Sequence, residues 1–148
     1  MHCKTNNNYR NGETMNQLLI NFQPKLLGLL RIVTGFLFMQ HGGQKIFGFP
    51  AAQRGEFELF SMMGVAGSLE LFGGLLIVIG LFTRSAAFVL SGLMAFAYFM
   101  AHAPQAFWPI LNGGELAALF SFVFLYIAAA GPGAFSLDHL YSKKTIFK

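Results

Sequence analysis

The sequence predicts an all-α protein, an integral membrane four-helix bundle whose helices run up and down. First, 55% of the 148 residues are hydrophobic and only 11% are charged, whereas a soluble domain has roughly 25% charged residues. Second, a transmembrane helix needs about 20 largely apolar residues, and four stretches meet this requirement, at approximately 25–46, 60–82, 85–103 and 114–131. Third, apolar residues run nearly all round each stretch, as expected of helices whose outer faces contact lipid.

The connections between these stretches predict antiparallel neighbours. Only Thr83 and Arg84 join the second stretch to the third, and a connection this short requires a helical hairpin. The Gly-Pro pair at 131–132 is typical of a helix C-terminus and ends the fourth stretch. After it, Ser136 and Asp138 offer caps for a short helix at the membrane surface.

The two ends of the chain are predicted to be polar tails. Residues 1–24 predict a disordered cytoplasmic tail, in which Met15 is a second candidate for the initiating residue, and residues 142–148 predict a basic cytoplasmic tail. Between them, residues 25–141 are predicted to form one membrane domain. Arg31 interrupts the first apolar stretch, which argues against a cleaved signal peptide and for a retained helix.

The positive charges of the connections predict the orientation of the helices. With four spans, two basic residues, Lys45 and Arg54, fall on one side of the membrane. Seven fall on the other side: Lys4, Arg10, Lys25, Arg84, Lys143, Lys144 and Lys148. The sequence therefore predicts a multi-pass protein with both termini in the cytoplasm and with the connections 46–59 and 104–113 outside.

Composition also excludes several classes of function. The formal charge is +4, but the charges lie in tails and connections and form no stripe that could follow a phosphate backbone, so no nucleic-acid partner is predicted. Cys3 is the one cysteine, which excludes an internal disulfide, a CxxC dithiol and a cysteine metal cluster. The sequence contains no Walker loop, no GxGxxG and no nucleophilic serine motif. Any redox chemistry must use a redox group that the chain itself does not supply.

Polar side chains within the apolar stretches are the first candidates for function, because ionisable groups at membrane depth are costly unless they are paired or hydrated. In the first stretch, steps of 3, 4, 3 and 4 residues place one set on a single helical seam: Arg31, Thr34, Phe38, His41 and Lys45. In the second stretch, Glu70 lies near the middle. Counted from the ends of the stretches, Arg31 and Glu70 differ in depth by about 6 Å, so an Arg31–Glu70 contact is predicted. The alternative is that this pair is purely structural.

Small residues surround Glu70. Gly67 lies three residues before it and Gly74 four residues after it. This spacing predicts a face on which the backbone of another helix comes close.

At the outer end, a mouth lined by several polar groups is predicted. "HGGQK" presents His41, Gln44 and Lys45, while His102 ends the third stretch and Glu115 begins the fourth. A small anionic or quinone-like ligand held by Lys45, the histidines and Arg31 fits best, because cationic donors suit oxyanions and aromatic walls suit flat rings. Haem held by the two histidines and a zinc or iron site of His41, His102 and Glu115 are weaker alternatives, since no HxxxH or HExxH spacing exists; no metal is predicted.

Four segments of this chain contain a set of motif residues in a characteristic order. They are "LLRIVTGFLFMQHGGQKIFG", "GSLELFGGLLIVIGLFTRSAAFVL", "AHAPQAFWPILNGGELAALF" and "LYIAAAGPGAFSLD", and together they cover about residues 26–140. The motif residues, in order, are Arg31, His41–Gly42, Gln44–Lys45, Glu70 with Gly73 and Gly74, Gly80–Leu81 with Arg84, Glu115, Gly131 to Gly133, and Ser136 to Asp138. With these motifs in this order, the chain resembles the DoxX family of small bacterial inner-membrane proteins. The polar extension before residue 15 lies outside this pattern.

The resemblance implies four transmembrane helices in a bacterial inner membrane. It also implies a link to redox systems, because some family members are similar to the large subunit of an archaeal thiosulfate:quinone oxidoreductase. Others are similar to partners of oxidoreductases in thiol or oxidative stress, or to proteins of quinone and catechol resistance. If this chain is similar to the thiosulfate:quinone oxidoreductase subunit, the resemblance implies that Arg31, Lys45 and Glu70 bind an oxyanion and handle protons. An oxidoreductase partner subunit is then also expected.

Two hypotheses remain open from the sequence. In the first, the chain is a component of a membrane redox system that binds quinone or a sulfur oxyanion at the polar seam. In the second, it is a non-catalytic membrane scaffold or a small-molecule permeation protein, and the same polar groups only stabilise the bundle.

Overall fold

The computed structural model describes residues 6–51 and 58–146. Within these residues the fold is all-helical and contains no strand. The helices, in chain order, are α1 (Asn6–Phe47), α2 (Met62–Ser68), α3 (Gly74–Ile79), α4 (Thr83–Ala97), α5 (Pro109–Asn112), α6 (Glu115–Ala130) and α7 (Leu137–Ile146). Two π-helical turns complete them: Leu69–Gly73 joins α2 to α3, and Tyr98–His102 extends α4.

Three helices are long and apolar enough to cross a membrane, by length and composition. Within the described residues they are Met15–Phe47, Met62–Ile79 and Thr83–His102. The fourth predicted stretch corresponds to α6, which is apolar but has 16 residues. The helical fold class is therefore confirmed, with three membrane-span candidates and one shorter apolar helix.

The predicted hairpin is present. α3 ends at Gly80, whose positive φ of 69° is a left-handed conformation that favours glycine, and α4 begins at Thr83. α3 packs against α4, α4 packs along α6, and α1 packs against α2 and α3.

The structure departs from the predicted disordered tail, because α1 begins at Asn6 and residues 6–24 are helical. Met15, Leu18, Leu19 and Phe22 follow the i, i+3, i+4, i+7 spacing of one helical face and are exposed. The same helical spacing of apolar residues continues into the span candidate Met15–Phe47. The polar composition of residues 1–24 led to the prediction of disorder instead. Residues 1–5 lie outside the described part of the chain.

Glycines bring α1 close to the helix that faces it. A Cβ added to Gly42 would lie 2.4 Å from the backbone nitrogen of Leu71, and one added to Gly35 would lie 2.9 Å from the carbonyl oxygen of Gly74. A Cβ at Gly67 would lie 2.9 Å from the Cβ of Lys45. The prediction of a close-packed face at Gly67 and Gly74 is confirmed, and α1 is the helix that packs there.

The core lies where α1, α3, α4 and α6 meet. Phe38 of α1 contacts Phe124 of α6 edge to face, with ring centroids 4.8 Å apart. Ser91 of α4 and Ser121 of α6 each donate a hydroxyl hydrogen bond to the other's carbonyl oxygen, at 2.9 and 3.1 Å. The reciprocal pair satisfies both hydroxyls within an apolar contact.

The segment after α6 ties the helix ends together. Ser136 Oγ accepts the backbone N–H of His139 at 3.2 Å and so caps α7, as predicted. Asp138 instead accepts the N–H groups of Phe82 and Thr83, at 2.9 and 2.8 Å, and caps α4. α7 continues to Ile146, into the segment predicted to be a basic tail.

Candidate ligand-binding site

A buried ion pair lies between α1 and the π-helical turn Leu69–Gly73. The ammonium of Lys45 donates to Oε1 of Glu70. The Glu70 side chain is 3% exposed and that of Lys45 18%. The second carboxylate oxygen of Glu70, Oε2, is buried and has no hydrogen-bond partner among the described residues. The pair therefore presents a free acceptor, whose desolvation is costly while it stays unpaired.

The ion pair lies in the wall of a cavity of about 530 Å³, here called the ion-pair cavity. This volume is in the range of small-molecule sites. Among the described residues, its polar lining residues are Lys45, Glu70 and His102, and the other lining residues are apolar. Four of the chain's methionines line it: Met62, Met63, Met94 and Met100. An apolar cleft with a few convergent polar groups is the usual form of a ligand site.

The opening of the ion-pair cavity lies between α2 and the end of α4. Met62 and Met63 on one side are 73% and 52% exposed, and Phe96 and Met100 on the other are 51% and 59% exposed. All four belong to helices with the length and composition of membrane spans. Counting about 1.5 Å per residue from Met62, Glu70 lies about 12 Å along its helix.

The loop after α4 fixes the ring of His102. Its Nδ1 lies 2.9 Å from the carbonyl oxygen of Asn112. Because a carbonyl can only accept, Nδ1 carries the hydrogen, and Nε2 of the neutral ring is left as an acceptor. Asn112 is itself held, since its amide donates to the carbonyl of Ala106 at 2.8 Å and accepts the N–H of Gly114 at 2.8 Å.

Arg31 does not contact Glu70, so the predicted Arg31–Glu70 pair is wrong. The side chain is fully buried at 0% exposure. A guanidinium has five N–H donors, and here its nitrogens donate to five backbone carbonyls: Ile77, Val78, Pro132, Ala134 and Phe135. All five N–H groups of Arg31 are thus hydrogen-bonded to backbone carbonyls, and none is available to bind an oxyanion.

The glycine contacts explain the error. Gly35 lies beside Gly74 and Gly42 beside Leu71, and this antiparallel register puts Arg31 level with Val78. Glu70 is eight residues away along that helix, which is about 12 Å, rather than the distance of about 6 Å expected from the ends of the stretches. Lys45 takes its place as the partner of Glu70.

The predicted mouth is only partly assembled. Lys45 and His102 line the ion-pair cavity, together with Glu70. His41 and Gln44 line a different groove of about 300 Å³ against Leu116 and Phe120. His41 is turned by about 100° from Gly42, the residue that contacts the facing helix, so it points toward α6.

Glu115 is exposed in the first turn of α6 and lies in neither of these two cavities. His41, His102 and Glu115 therefore do not form the metal site considered above. Among the described residues, no group of three or more His, Cys, Asp or Glu side chains could hold a metal ion.

Sequence reasoning missed two features of the site. Glu70 and His102 both lie in π-helical turns, which are frequent at functional sites. No residue pattern in the sequence predicted these two turns. Sequence reasoning also missed Asn112, which orients His102. The Asn-Gly step at 112–113 is a turn signal, and it could have identified the loop that folds back on α4.

Comparison with known proteins establishes the family. The DoxX family model matches residues 26–103. The chain belongs to the DoxX family. The match begins within α1 and runs past the end of the second π-helical turn, and it includes Lys45, Glu70 and His102 of the ion-pair cavity. The predicted resemblance is confirmed, and the chain is a helical membrane protein of this family.

Two relatives support the assignment to the DoxX family. An uncharacterized protein of Haemophilus influenzae is 44% identical over 131 residues, which cover 85% of this chain and 98% of that protein. "Inner membrane protein YqjF" of Escherichia coli is 33% identical over 127 residues, which cover 77% of this chain and 90% of that protein. No solved structure matches significantly.

Proposed function

We propose that the chain is a four-span inner-membrane protein that binds a quinone-type ring in the ion-pair cavity, as a component of a membrane redox system. The observation that carries this proposal is the Lys45–Glu70 pair, buried in the wall of an otherwise apolar cavity. Apolar and aromatic walls suit a flat ring, and a few fixed polar groups suit its oxygen atoms.

The proposed location rests on two observations. Three helices have the length and composition of membrane spans, and a relative is named an inner membrane protein. α6 is about 24 Å long at 1.5 Å per residue, so the fourth span of this proposal would also need the apolar residues of α5 just before it. The excess of Lys and Arg in the connections on one side supports cytoplasmic termini.

The charge balance favours a neutral ring over a sulfur oxyanion. Among the residues that the structure describes, Lys45 is the only Lys or Arg in the wall of the ion-pair cavity, and it is already paired with Glu70. Arg31, the other residue expected to bind an oxyanion, is bonded to five carbonyls. An anion in this cavity would therefore meet the Glu70 carboxylate without an unpaired cation to offset it.

The cavity also suits a ligand that comes from the bilayer. The residues at its opening are exposed on membrane-spanning helices, so lipid rather than water faces them. A lipid-soluble quinone could place its ring beside Glu70 and leave its chain among the acyl chains.

The test is binding of menadione, a small quinone, to the protein in mild detergent, measured by calorimetry. The informative variant is Lys45→Met with Glu70→Met, because replacing both members of a buried pair by apolar residues is often neutral for stability. We expect the wild type to bind and the double variant to lose roughly tenfold or more in affinity, the scale of one charge-assisted hydrogen bond.

His41→Gln is the matched control, since His41 lines the other groove. Its affinity for menadione should equal that of the wild type. If the wild type binds no quinone, or if the double variant binds as tightly as the wild type, the redox proposal fails. The scaffold or permeation hypothesis, in which the ion pair only stabilises helix packing, then takes its place.

A further inference from the structure

The ion-pair cavity offers a ligand two hydrogen-bond acceptors that the described residues leave unpaired. Glu70 Oε2 is buried without a donor among the described residues. As Glu70 is bonded to an ammonium, it is a carboxylate, and a carboxylate oxygen can only accept. A ligand group that satisfies this atom must therefore bring a hydrogen.

His102 supplies the second acceptor. Its Nδ1–H is used by the carbonyl of Asn112 at 2.9 Å. Nε2 of the neutral ring makes no other hydrogen bond within the described residues and carries a lone pair. His102 lines the same cavity as Glu70.

Within the described part of the chain, Lys45 is the one polar lining residue with hydrogen-bond donors left for a ligand. An ammonium has three N–H donors, and one contacts Glu70 Oε1. Lys45 can donate to an oxygen of the ligand whether that oxygen is a carbonyl or a hydroxyl. It therefore does not distinguish the oxidised ring from the reduced ring, whereas the two acceptors do.

From these three groups we infer that the ion-pair cavity binds the reduced, two-hydroxyl form of the ring, the quinol, more tightly than the quinone. This inference rests on the proposed function and names the form of the ligand. A quinol donates two O–H bonds and can also accept. A quinone presents only acceptor oxygens. When a quinone is bound, Glu70 Oε2 therefore stays without a donor and faces a lone pair of the quinone oxygen.

Preferential binding of the reduced form has an electrochemical consequence. A ligand couple whose reduced form is bound more tightly becomes easier to reduce, so its midpoint potential rises. For a two-electron couple, each tenfold preference corresponds to about 30 mV. A charge-assisted hydrogen bond to Glu70 is sufficient for a preference of roughly tenfold or more.

The experiment is an anaerobic redox titration of menadione and menadiol, followed by absorbance with and without excess protein in mild detergent. We expect the protein to raise the midpoint potential of the bound couple by about 30 mV or more. Glu70→Gln should remove most of this shift, because one position of the amide is a donor and no longer requires a ligand hydrogen. His41→Gln, in the other groove, should leave the shift unchanged.

The outcomes separate this inference from the proposed function. If neither menadione nor menadiol binds, the proposed function itself fails. If both bind but the midpoint potential is unchanged or falls, the preference for quinol is overturned while quinone binding stands. A shift that persists in Glu70→Gln would also overturn the inference, since the acceptor would not be Glu70.

Discussion

At the scale of single residues, Arg31 illustrates how a charge is held inside this bundle without a carboxylate partner. Two of its carbonyl acceptors, Ile77 and Val78, belong to the last turn of α3, where the helix dipole is negative. The other three belong to the segment that follows α6. One side chain on α1 thus joins three parts of the chain at the end opposite the ion-pair cavity.

The first prediction concerns this geometry. Arg31→Lys keeps the charge but offers three donors to five carbonyls, so at least two carbonyls lose their partner. Each unpaired buried group costs about 1–3 kcal/mol, so we expect a loss of about 3 kcal/mol. The corresponding fall in the midpoint of thermal unfolding in detergent is about 10 °C, measured by size exclusion after heating.

Arg84→Lys is the control for this prediction. Arg84 also donates to carbonyls, those of Ala128 and Ala129 at the end of α6, but its side chain is exposed. Water can replace those hydrogen bonds, so the substitution should shift the unfolding midpoint much less. Equal shifts of the unfolding midpoint for the two variants would contradict the prediction, because burial of Arg31 would then add nothing to the cost of losing its hydrogen bonds.

At the scale of helices, the contact between α1 and the α2–α3 helix decides which polar residues meet. Gly42 and Gly35 allow backbone contact with Leu71 and Gly74, and this contact sets the register that brings Lys45 to Glu70. In a bilayer there is no hydrophobic driving force between helices, so their association depends on such close packing.

The second prediction tests this role of glycine. Gly42→Ala would place a Cβ 2.4 Å from the Leu71 nitrogen and 2.7 Å from the Gly67 carbonyl oxygen, both backbone atoms. The helices must separate, so we expect a lower unfolding midpoint and weaker binding of menadione. Gly92→Ala in α4 is the control, because a Cβ there meets nothing within 4 Å. It should be neutral or stabilise by about 0.5–1 kcal/mol, and a Gly42→Ala variant as stable as Gly92→Ala would contradict the prediction.

The same helix pair shows what the sequence could and could not predict. The apolar stretches predicted the membrane helices because length and hydropathy are local properties, and the spacing of Gly67 and Gly74 predicted the close-packed face. The predicted partner of Glu70, Arg31, was wrong because the pairing depends on the register between the two helices. That register is set by contacts between segments that are distant in the sequence. Of the predicted mouth, Lys45 and His102 line the same cavity, whereas His41 and Gln44 line another groove and Glu115 lies in neither.

At the scale of the whole molecule, the two ends of the bundle are built differently. At the end that holds α7, Arg31 and Asp138 tie α1, α3, α4 and the last segment together through backbone groups. At the opposite end, α2 packs on α1, and the ion-pair cavity separates it from the end of α4. The proposed ligand would enter at this second end, where the ion-pair cavity lies.

The last prediction follows from this asymmetry: the ion-pair cavity opens toward lipid. Trp108 is the one tryptophan of the chain, so Trp108→Phe provides a background for single tryptophans at the opening, Met63→Trp and Phe96→Trp. In vesicles we expect brominated acyl chains to quench both, and iodide in the water to quench them weakly. Phe88→Trp, on an exposed position of α4 outside the cavity wall, is the control for contact with lipid. Strong quenching by iodide at 63 and 96, with bromolipid quenching only at 88, would mean that the cavity opens to water and that its ligand arrives from solution.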